Sequence, residues 1–285
     1  MSPRYLVVGA GGMLGTDLLT VLEGRDATGL TRAQLDVTDA GAVLAAAAGY
    51  DIVINASAYT RVDDAETHEA QAHAVNALGA HNLALATARH GTALVQLSTD
   101  YVFDGEATTP YAEDAPRDPR SAYGRTKAEG ERLALEANPA GTRVVRTAWL
   151  YGEHGNNFAR TMLRLAAERD TVDVVTDQVG QPTWTKDLAG QIVRMLDASA
   201  PAGIYHGTNS GRASWFDFAR AVFELGGHDP ARVVPTESAL FVRPAPRPSY
   251  SVLGHSAWQA AGLEPLRDWR EALAEAFSTG ALGAR

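Results

Sequence analysis

A tyrosine and a lysine one helical turn apart are the residues of this sequence that could most readily do chemistry together. Tyr123 and Lys127 are the first and last residues of the segment Tyr-Gly-Arg-Thr-Lys. Residues at i and i+4 share one face of a helix. A phenol with a pKa of about 10 transfers protons poorly at neutral pH, but a nearby ammonium stabilises the phenolate and lowers that pKa. The pair predicts acid–base chemistry in a cleft, with Tyr123 moving a proton and Lys127 tuning it.

A hydroxyl group that could complete the pair occurs in Ser98-Thr-Asp-Tyr101, directly after a predicted strand. A hydroxyl at such a strand end can donate to a substrate oxygen on which charge develops. Because residues alternate along a strand, only one of Ser98 and Thr99 can face the cleft, and we expect Thr99 to do so. A Tyr-x-x-x-Lys pair alone is typical of an ordinary helix surface. This hydroxyl and a glycine-rich loop near the N-terminus favour the functional interpretation.

Three glycines spaced three residues apart, Gly9, Gly12 and Gly15, lie between the first predicted strand and the first predicted helix. A tight turn after a strand needs residues without a Cβ, and a helix N-terminus offers free N–H groups to a pyrophosphate. The spacing differs from the commoner dinucleotide fingerprint, which has glycines at positions one, three and six. Its place in the chain favours a dinucleotide loop over a glycine-rich turn without a ligand.

The residues after the second predicted strand bear on the choice of cofactor. An NAD enzyme often places a carboxylate there for the ribose 2′-hydroxyl, whereas this chain has Thr31 and Arg32. A guanidinium suits a 2′-phosphate, so we expect NADPH and leave NADH open. Arg32 as a solvated surface charge is an equally good interpretation. Asp36 and Val37 could line the adenine, although Asp36 could instead cap the following helix.

Short β-branched runs alternate with alanine-rich stretches through the first half of the chain, which predicts an α/β fold with a doubly wound parallel sheet. We expect an NAD(P)-binding domain over residues 1–150 and a mainly substrate-binding lobe over residues 151–285, with some segments returning to the first sheet and the site between the two. Predicted strands are Tyr5–Val8, a weak one at Ala27–Leu30, Ile52–Asn55, Leu94–Ser98, Arg143–Arg146, Val172–Val175 and Ile204–His206; predicted helices are Thr16–Glu23, Ala42–Ala48, Ala70–His90, Tyr123–Ala137, Asn157–Arg169, Lys186–Leu196, Ser214–Leu225 and Trp269–Phe277.

Composition excludes several other classes of protein. The 285 residues include no cysteine, which excludes a disulfide framework, a thiolate nucleophile and a Cys-ligated metal. A net charge of -9 argues against a general nucleic-acid or membrane surface, and no apolar run approaches the roughly 20 residues that cross a bilayer. The histidines show no ligand spacing, so we predict no metal. We expect a cytoplasmic protein.

Several longer segments together resemble one known family. Over the stretch from Tyr5 to about Phe277 the chain is similar to the extended short-chain dehydrogenase/reductases and, within them, to the dTDP-4-dehydrorhamnose reductases. The segments that carry the resemblance are Asn55–Asp64, Ser98–Gly105, Arg146–Gly152, Gly155–Phe158, Asp177–Thr183, Ala245–Pro248 with Ser251, and Asp268–Arg270.

The resemblance implies roles for individual residues. Tyr123 would be the proton donor, Lys127 would hold Tyr123 and the nicotinamide ribose, and Trp149 would pack on the hexose ring. Alternatively, Trp149 and Tyr101 could be core aromatics, and Asp100 could be a helix or turn cap. The remaining implied contacts are those to the sugar by Thr99, Asp100 and Tyr101, to the pyrophosphate by Gly12, Met13 and Leu14, to the adenosine by Asp36 and Val37, and to the middle of the cofactor by Ala58, Tyr59 and Thr60.

The sequence departs from the family pattern in three places. Thr31 stands where many relatives carry an acid, which argues against NADH. Ser57 replaces the usual alanine, a change we expect to be tolerated. Thr16 and Asp17 follow Gly15 where some relatives carry a glutamate that helps to bind magnesium at a dimer interface. We therefore do not expect a metal-linked dimer, and a homodimer of another kind stays open.

The resemblance implies an NADPH-dependent reductase that acts on the C4 ketone of a dTDP-4-dehydro-6-deoxyhexose. The first candidate substrate is dTDP-4-dehydro-6-deoxy-L-mannose, giving dTDP-L-rhamnose. The alternatives are a related reductase of antibiotic sugar biosynthesis, such as a dihydrostreptose-type synthase, and a non-catalytic regulatory subunit. An epimerase or dehydratase is disfavoured because a dehydratase usually has an acid at the position of Tyr101. Arg247 is a candidate for the diphosphate, or else a surface residue in a proline-rich turn.

Overall fold

The structure of this chain, a computed structural model, describes residues 2–283; Met1 and residues 284–285, at the ends of the two predicted domain ranges, lie outside that part. Its strands are β1 (Arg4–Val8), β2 (Asp26–Leu30), β3 (Ile52–Asn55), β4 (Ala93–Thr99), β5 (Thr142–Thr147), β6 (Leu150–Tyr151), β7 (Val172–Val175), β8 (Val179–Gly180), β9 (Thr183–Trp184), β10 (Gly203–His206), β11 (Asn209–Ser210), β12 (Ala213–Ser214), β13 (Val233–Thr236) and β14 (Leu266–Asp268). Its α-helices are α1 (Met13–Val21), α2 (Ala40–Ala46), α3 (Val62–Ala65), α4 (Glu69–His73), α5 (Gly79–His90), α6 (Ala122–Ala137), α7 (Phe158–Glu168), α8 (Thr185–Asp197), α9 (Trp215–Leu225), α10 (Ser256–Ala260) and α11 (Trp269–Ser278).

Six parallel strands form the main sheet in the order β10-β5-β4-β3-β1-β2. The chain moves outward from β1 to β2 and then returns to the other side of β1 to form β3. Ligands of such sheets bind at the carboxyl ends of the strands where the direction reverses, which here is between β1 and β3. The predicted doubly wound parallel sheet is confirmed, and β2 forms despite Gly29 because all five of its residues pair with β1.

Helices cover both faces of the main sheet; most lie within two residues of their predicted ends, and two differ more. Helix α1 begins at Met13, three residues before the predicted start, because Gly12 already occupies its N-cap. The predicted helix Ala70–His90 is interrupted by one wide π turn over Ala74–Leu78, between α4 and α5. A π turn displaces a side chain and its carbonyl, and such turns are frequent at functional sites.

A second hydrophobic core lies in the later part of the chain. Its buried members include Trp184, Phe218 and Trp269, packed between α7, α9 and α11. Two segments of the later range belong to the larger unit instead, because β10 pairs with β5 and α8 packs on α1. We propose the two-domain division with β10 and α8 assigned to the dinucleotide-binding domain.

Candidate active site

The glycine loop after β1 is shaped by contacts that exclude a side chain. Gly9 has a φ of +83°, and a Cβ there would lie 2.6 Å from the amide nitrogen of Ser57. A Cβ on Gly15 would lie 2.2 Å from the carbonyl oxygen of Gly9. The N–H of Gly12 donates to that same carbonyl at 3.0 Å. These contacts bring the N-terminus of α1 close to the end of β1, where its free N–H groups can bind an anion.

A groove of about 420 Å³ runs along this loop and the ends of β2 and β3. Met13, Leu14, Gly15 and Thr60, which the resemblance or the glycine pattern assigned to the cofactor, do not line this groove among the described residues. Leu14 packs into the core below it. The lining residues are Val8, Gly9, Gly11, Gly12, Thr31, Arg32, Ala33, Leu35, Asp36, Val37, Ala56, Ser57, Ala58, Tyr59 and Val75.

Arg32 and Asp36, the two charged residues that the sequence analysis assigned to the cofactor, lie at the end of the groove that follows β2. Arg32 is exposed at the groove. Asp36 accepts from the N–H and the hydroxyl of Thr38 at 2.9 and 2.8 Å, bonds that lower the pKa of its carboxyl. The alternative that Asp36 caps the next helix is wrong, because Asp39 does so by accepting from the N–H of Ala42 at 3.0 Å.

The predicted acid–base residues lie together where β4 ends and α6 begins. Ser121 caps α6 by accepting from the N–H of Gly124 at 3.1 Å, which places Tyr123 and Lys127 in the first two turns. The Tyr123 ring meets the edge of Tyr101 at a centroid distance of 5.7 Å. Thr99, the last residue of β4, lies beside the Tyr123 hydroxyl.

The pKa of Tyr123 is shifted in the direction opposite to the prediction. Burial raises it to about 12, the hydrogen bond from Thr99 opposes the rise, and the negative charge of Asp100 adds to it. Lys127 is not among the groups that shift this pKa; its Nζ donates to the carbonyl oxygen of Leu97 at 2.5 Å. The expected lowering by the ammonium is therefore wrong in direction. A phenol with a raised pKa stays protonated at neutral pH and can donate that proton.

Lys127 is itself almost completely enclosed. Burial lowers the pKa of its ammonium to about 8, and the negative charge of Glu131 opposes that shift. Nothing in the local pattern predicts this burial, because the residues around Lys127 are those of an ordinary amphipathic helix. The pKa of this ammonium therefore lies much closer to neutral pH than that of an exposed lysine.

The two hydroxyls at the end of β4 point to different neighbours. Ser98 donates to a carboxylate oxygen of Glu131 at 2.5 Å, in the interior. Thr99 donates to Asp100 at 2.9 Å and accepts from the N–H of Tyr101, so that Thr99 caps the following 3₁₀ turn. The cap proposed for Asp100 belongs to Thr99, and this placement favours Thr99 over Ser98 as the group facing the cleft.

Asp100 is a buried carboxyl next to the reactive face. Burial raises its pKa to about 6, and the hydrogen bond from Thr99 opposes the rise. Near neutral pH this group can accept a hydrogen bond when ionised and donate one when protonated. Both forms suit contact with a hydroxyl group.

Trp149 adopts an unusual backbone conformation; it does not itself line the second cavity described below, but its stacking partner Trp215 does. Its φ is +47°, in the left-handed region that non-glycine residues seldom adopt. Its ring stacks on Trp215 with centroids 3.5 Å apart and planes 7° apart. A Cβ on Gly180 would lie 2.6 Å from the Trp149 ring, so only glycine fits behind it. Strained residues of this kind cluster at ligand sites.

The second cavity, of about 540 Å³, is lined by residues of both ranges of the chain. Arg247 lies at its edge and donates to Asp63 at 2.8 Å, which links the proline-rich segment to α3. Sequence reasoning missed Trp215 and the Gln178 that accepts from its indole N–H at 3.1 Å. Gln178 lay within a segment that carries the family resemblance, whereas Trp215 resembled an ordinary core aromatic.

Asn76, in the π turn, was also missed. Its side chain accepts from the N–H of Tyr59 at 2.8 Å and donates to the Tyr59 carbonyl and to Thr126, both at 3.1 Å. It therefore connects the loop beside the groove to the helix that carries Tyr123. Nothing in a predicted helix pattern distinguishes such a residue from its neighbours.

Comparison with known proteins gives the family of this chain. The family described as RmlD substrate binding domain matches residues 3–281. A dTDP-4-dehydrorhamnose reductase of Streptomyces griseus is 53% identical over 283 residues, which cover 96% of this chain and 93% of that protein. The chain belongs to the dTDP-4-dehydrorhamnose reductase family. A second relative, from Streptomyces antibioticus and named probable dTDP-4,6-dihydroxy-2-methyloxan-3-one 4-ketoreductase, is 54% identical, with coverage of 96% and 94%.

A solved structure of the dTDP-4-dehydrorhamnose reductase family is also similar to this chain. The Bacillus anthracis dTDP-4-dehydrorhamnose reductase in complex with NADP matches with a TM-score of 0.94 and 36% identity, covering 98% of this chain and 100% of that one. The resemblance stated from the motifs is thereby confirmed, together with the extended Rossmann-type fold. Within residues 2–283 of this reductase family member, no helix is long and apolar enough to cross a membrane, and no three His, Asp or Glu side chains are placed to hold a metal ion.

Proposed function

We propose that this protein is an NADPH-dependent reductase of the C4 ketone of a dTDP-4-dehydro-6-deoxyhexose. The observation that carries the proposal is the meeting of Thr99, Tyr123 and Lys127 at the carboxyl end of β4, in a member of the dTDP-4-dehydrorhamnose reductase family. The names of the relatives and the NADP complex of one of them support the substrate class and the cofactor.

The groove beside the glycine loop fits a dinucleotide. Gly9 and Gly15 leave no room for side chains where the loop approaches α1, and the first N–H groups of α1 are free to bind a pyrophosphate. Arg32 would bind the 2′-phosphate, Asp36 and Val37 would flank the adenosine, and Ala58 and Tyr59 would contact the middle of the cofactor. When bound there, NADPH supplies the hydride.

The side chains of the site manage the proton and the charge on oxygen. Tyr123 donates its proton to the C4 oxygen as that oxygen becomes an alkoxide, and its raised pKa keeps it in the donor form until then. Thr99, whose hydroxyl donates to Asp100 in this structure, exchanges that bond for one to the same oxygen and stabilises the developing charge. By the family resemblance, Lys127 would hold Tyr123 and the nicotinamide ribose, and it shares one face of α6 with Tyr123.

The second cavity is the place for the sugar nucleotide. Trp149 stacks on Trp215, which lines this cavity, and by the family resemblance Trp149 would pack against the hexose ring. Asp100 and Tyr101 contact the sugar hydroxyls. Arg247 can exchange its bond with Asp63 for one with the diphosphate, because a guanidinium matches both geometries.

Two sugars are candidates for the substrate. dTDP-4-dehydro-6-deoxy-L-mannose is the first, giving dTDP-L-rhamnose. A related 4-keto sugar is the second, because relatives of nearly equal identity are named for other dTDP-4-keto sugars. Purified protein is offered a panel of dTDP-4-keto sugars, NADPH oxidation is followed by absorbance, and the product is identified by NMR. Oxidation with none of the panel would refute the proposed function.

Location and assembly extend the proposal. We place the enzyme in the cytoplasm, where biosynthesis of nucleotide sugars has its substrates, and we propose a homodimer that needs no metal. Light scattering of the purified protein, with and without a chelator, measures the assembly directly. A monomeric mass, or a dimer lost on chelation, would contradict it.

A further inference from the structure

A carboxylate lies enclosed in the protein directly behind the reactive face of α6. Glu131 follows Lys127 by one turn, as Lys127 follows Tyr123, so the three side chains share one face of the helix. The Glu131 side chain has 0% exposed surface. Burying a charge is costly unless the charge is paired and hydrogen-bonded.

Four bonds from three other segments satisfy this carboxylate. Arg146 of β5 binds it with two N–H groups, at 2.9 Å from Nε and 2.8 Å from Nη2. Arg117, from the loop before α6, donates at 3.3 Å. Ser98 of β4 donates at 2.5 Å. The pKa of Glu131 is lowered in spite of its burial, so it is an anion in the interior.

Arg146 and Arg117 carry the positive charges that pair with this carboxylate, and two further titratable groups adjoin the cluster. His206 of β10 contacts Arg146 at 3.3 Å, and burial lowers its pKa to about 3, so it is neutral. Asp100 lies beyond the end of β4, towards Tyr123. Glu131 is the charged group that acts on Lys127, and it opposes the effect of burial there.

Ser98 connects Glu131 to the rest of the site. It lies between Leu97, whose carbonyl accepts from Lys127 at 2.5 Å, and Thr99, whose hydroxyl lies beside Tyr123. A structural ion pair between Glu131 and Arg146 would need neither this bond from Ser98 nor a place one turn from Lys127. The arrangement instead attaches the end of β4 to the helix that carries the proton donor.

We propose that Glu131 is a positioning residue, which fixes the end of β4 against α6 through Ser98 and keeps Lys127 in its ammonium form. The consequence for turnover rests on the proposed function. The effect on Lys127 does not, because the charge of that side chain can be measured without any substrate.

The chain allows an unusually direct measurement, because Lys127 and Lys186 are its two lysines. In protein labelled with ¹³C-lysine, the Cε resonance of Lys127 is followed against pH, with the exposed Lys186 as an internal reference. In Glu131→Gln, which keeps the side-chain shape, the Lys127 midpoint is expected to fall by about one pH unit or more, as for the loss of one neighbouring charge. The control is Glu129→Gln, the same change on the same helix, where Glu129 faces solvent and pairs with Arg132. There the midpoint should not move.

Kinetics of two variants complete the test. Glu131→Gln should lower kcat at least tenfold, while Glu129→Gln should match the wild type. Ser98→Ala keeps the buried ion pair with Arg146 and should still lower kcat about tenfold, since hydrogen bonds to buried charged groups are strong. Glu131→Gln leaves Arg146 without its carboxylate and could prevent folding. If that variant does not fold, the kcat of Ser98→Ala decides alone.

The outcomes separate the two proposals. Glu131→Gln with a lower Tm but a wild-type Lys127 midpoint and wild-type kcat would overturn the inference, because a purely structural ion pair predicts that result. Wild-type kcat in Ser98→Ala would overturn it as well. If the unaltered enzyme reduces no dTDP-4-keto sugar, the proposed function fails, while the lysine titration still decides whether Glu131 controls Lys127.

Discussion

At the scale of single residues, burial controls the reactive groups more than their mutual charges do. It raises the pKa of Tyr123 to about 12 and lowers that of Lys127 to about 8. The sequence predicted that these two residues act together, but it predicted the wrong sign for the tyrosine. The spacing of a motif shows which groups share a helix face. It does not show how deeply they are enclosed, which depends on packing from β4 and from the segments after it.

The lowered pKa of Lys127 predicts a basic limb in the pH profile. The ammonium form, which the site needs, is present below the folded pKa of about 8 and is lost as pH rises through that value. kcat/KM for NADPH, which reports the free enzyme, should therefore fall above a midpoint near pH 8. A profile that stays flat to pH 10 would show that Lys127 is not needed as a cation.

We expect Arg32 to set the preference between cofactors. Its side chain is exposed at the groove, and the preceding residue is Thr31 rather than an acid. Arg32→Ala should lower kcat/KM for NADPH about tenfold, the worth of about 1.4 kcal/mol, while kcat/KM for NADH changes little. Arg89→Ala, which removes an exposed arginine in the last turn of α5, serves as the control for a general loss of positive charge. Equal losses with both cofactors would contradict the role of Arg32.

At the scale of elements, helix α9 holds the Trp149 ring in place. Trp215, its first residue, stacks on Trp149 and is held by Gln178. Trp215→Leu should raise KM for the sugar nucleotide about tenfold, since an aromatic pair contributes about 0.5–1.5 kcal/mol beyond its buried area. The Kd for NADPH should stay unchanged. Trp215→Phe should restore much of the affinity; equal KM values in all three proteins would exclude this support.

The elements that position the site differ in how well the sequence predicts them. β1, β3, β4 and β5 lie within a residue or so of their predicted ends, because buried parallel strands are continuous β-branched runs. The start of α1 was missed by three residues, since a glycine cap leaves no side-chain signal. The two-residue strands such as β6 and β8 were not predicted, because their pairing comes from distant segments rather than from local sequence.

At the scale of the whole molecule, the site forms where the main sheet, α6 and the later core meet. The glycine loop, Thr99, Tyr123 and Lys127 were predicted because each depends on a local pattern. Glu131 with Arg146, Trp215 behind Trp149, and Asp63 with Arg247 were not, because each pair joins residues far apart in the chain. Family resemblance supplied residue roles that the local patterns did not, and the fold supplies the contacts between them.

The most direct test of the central claim replaces the phenol of Tyr123. In Tyr123→Phe, kcat with NADPH and a dTDP-4-keto sugar should fall by about 10²–10⁴-fold, the usual contribution of a general acid. The Kd for NADPH, measured by fluorescence titration, should stay within about twofold, because the ring remains. Tyr205→Phe, which loses one bond from a distant hydroxyl to the Pro201 carbonyl, should keep wild-type turnover. Turnover close to wild type in Tyr123→Phe would contradict the account.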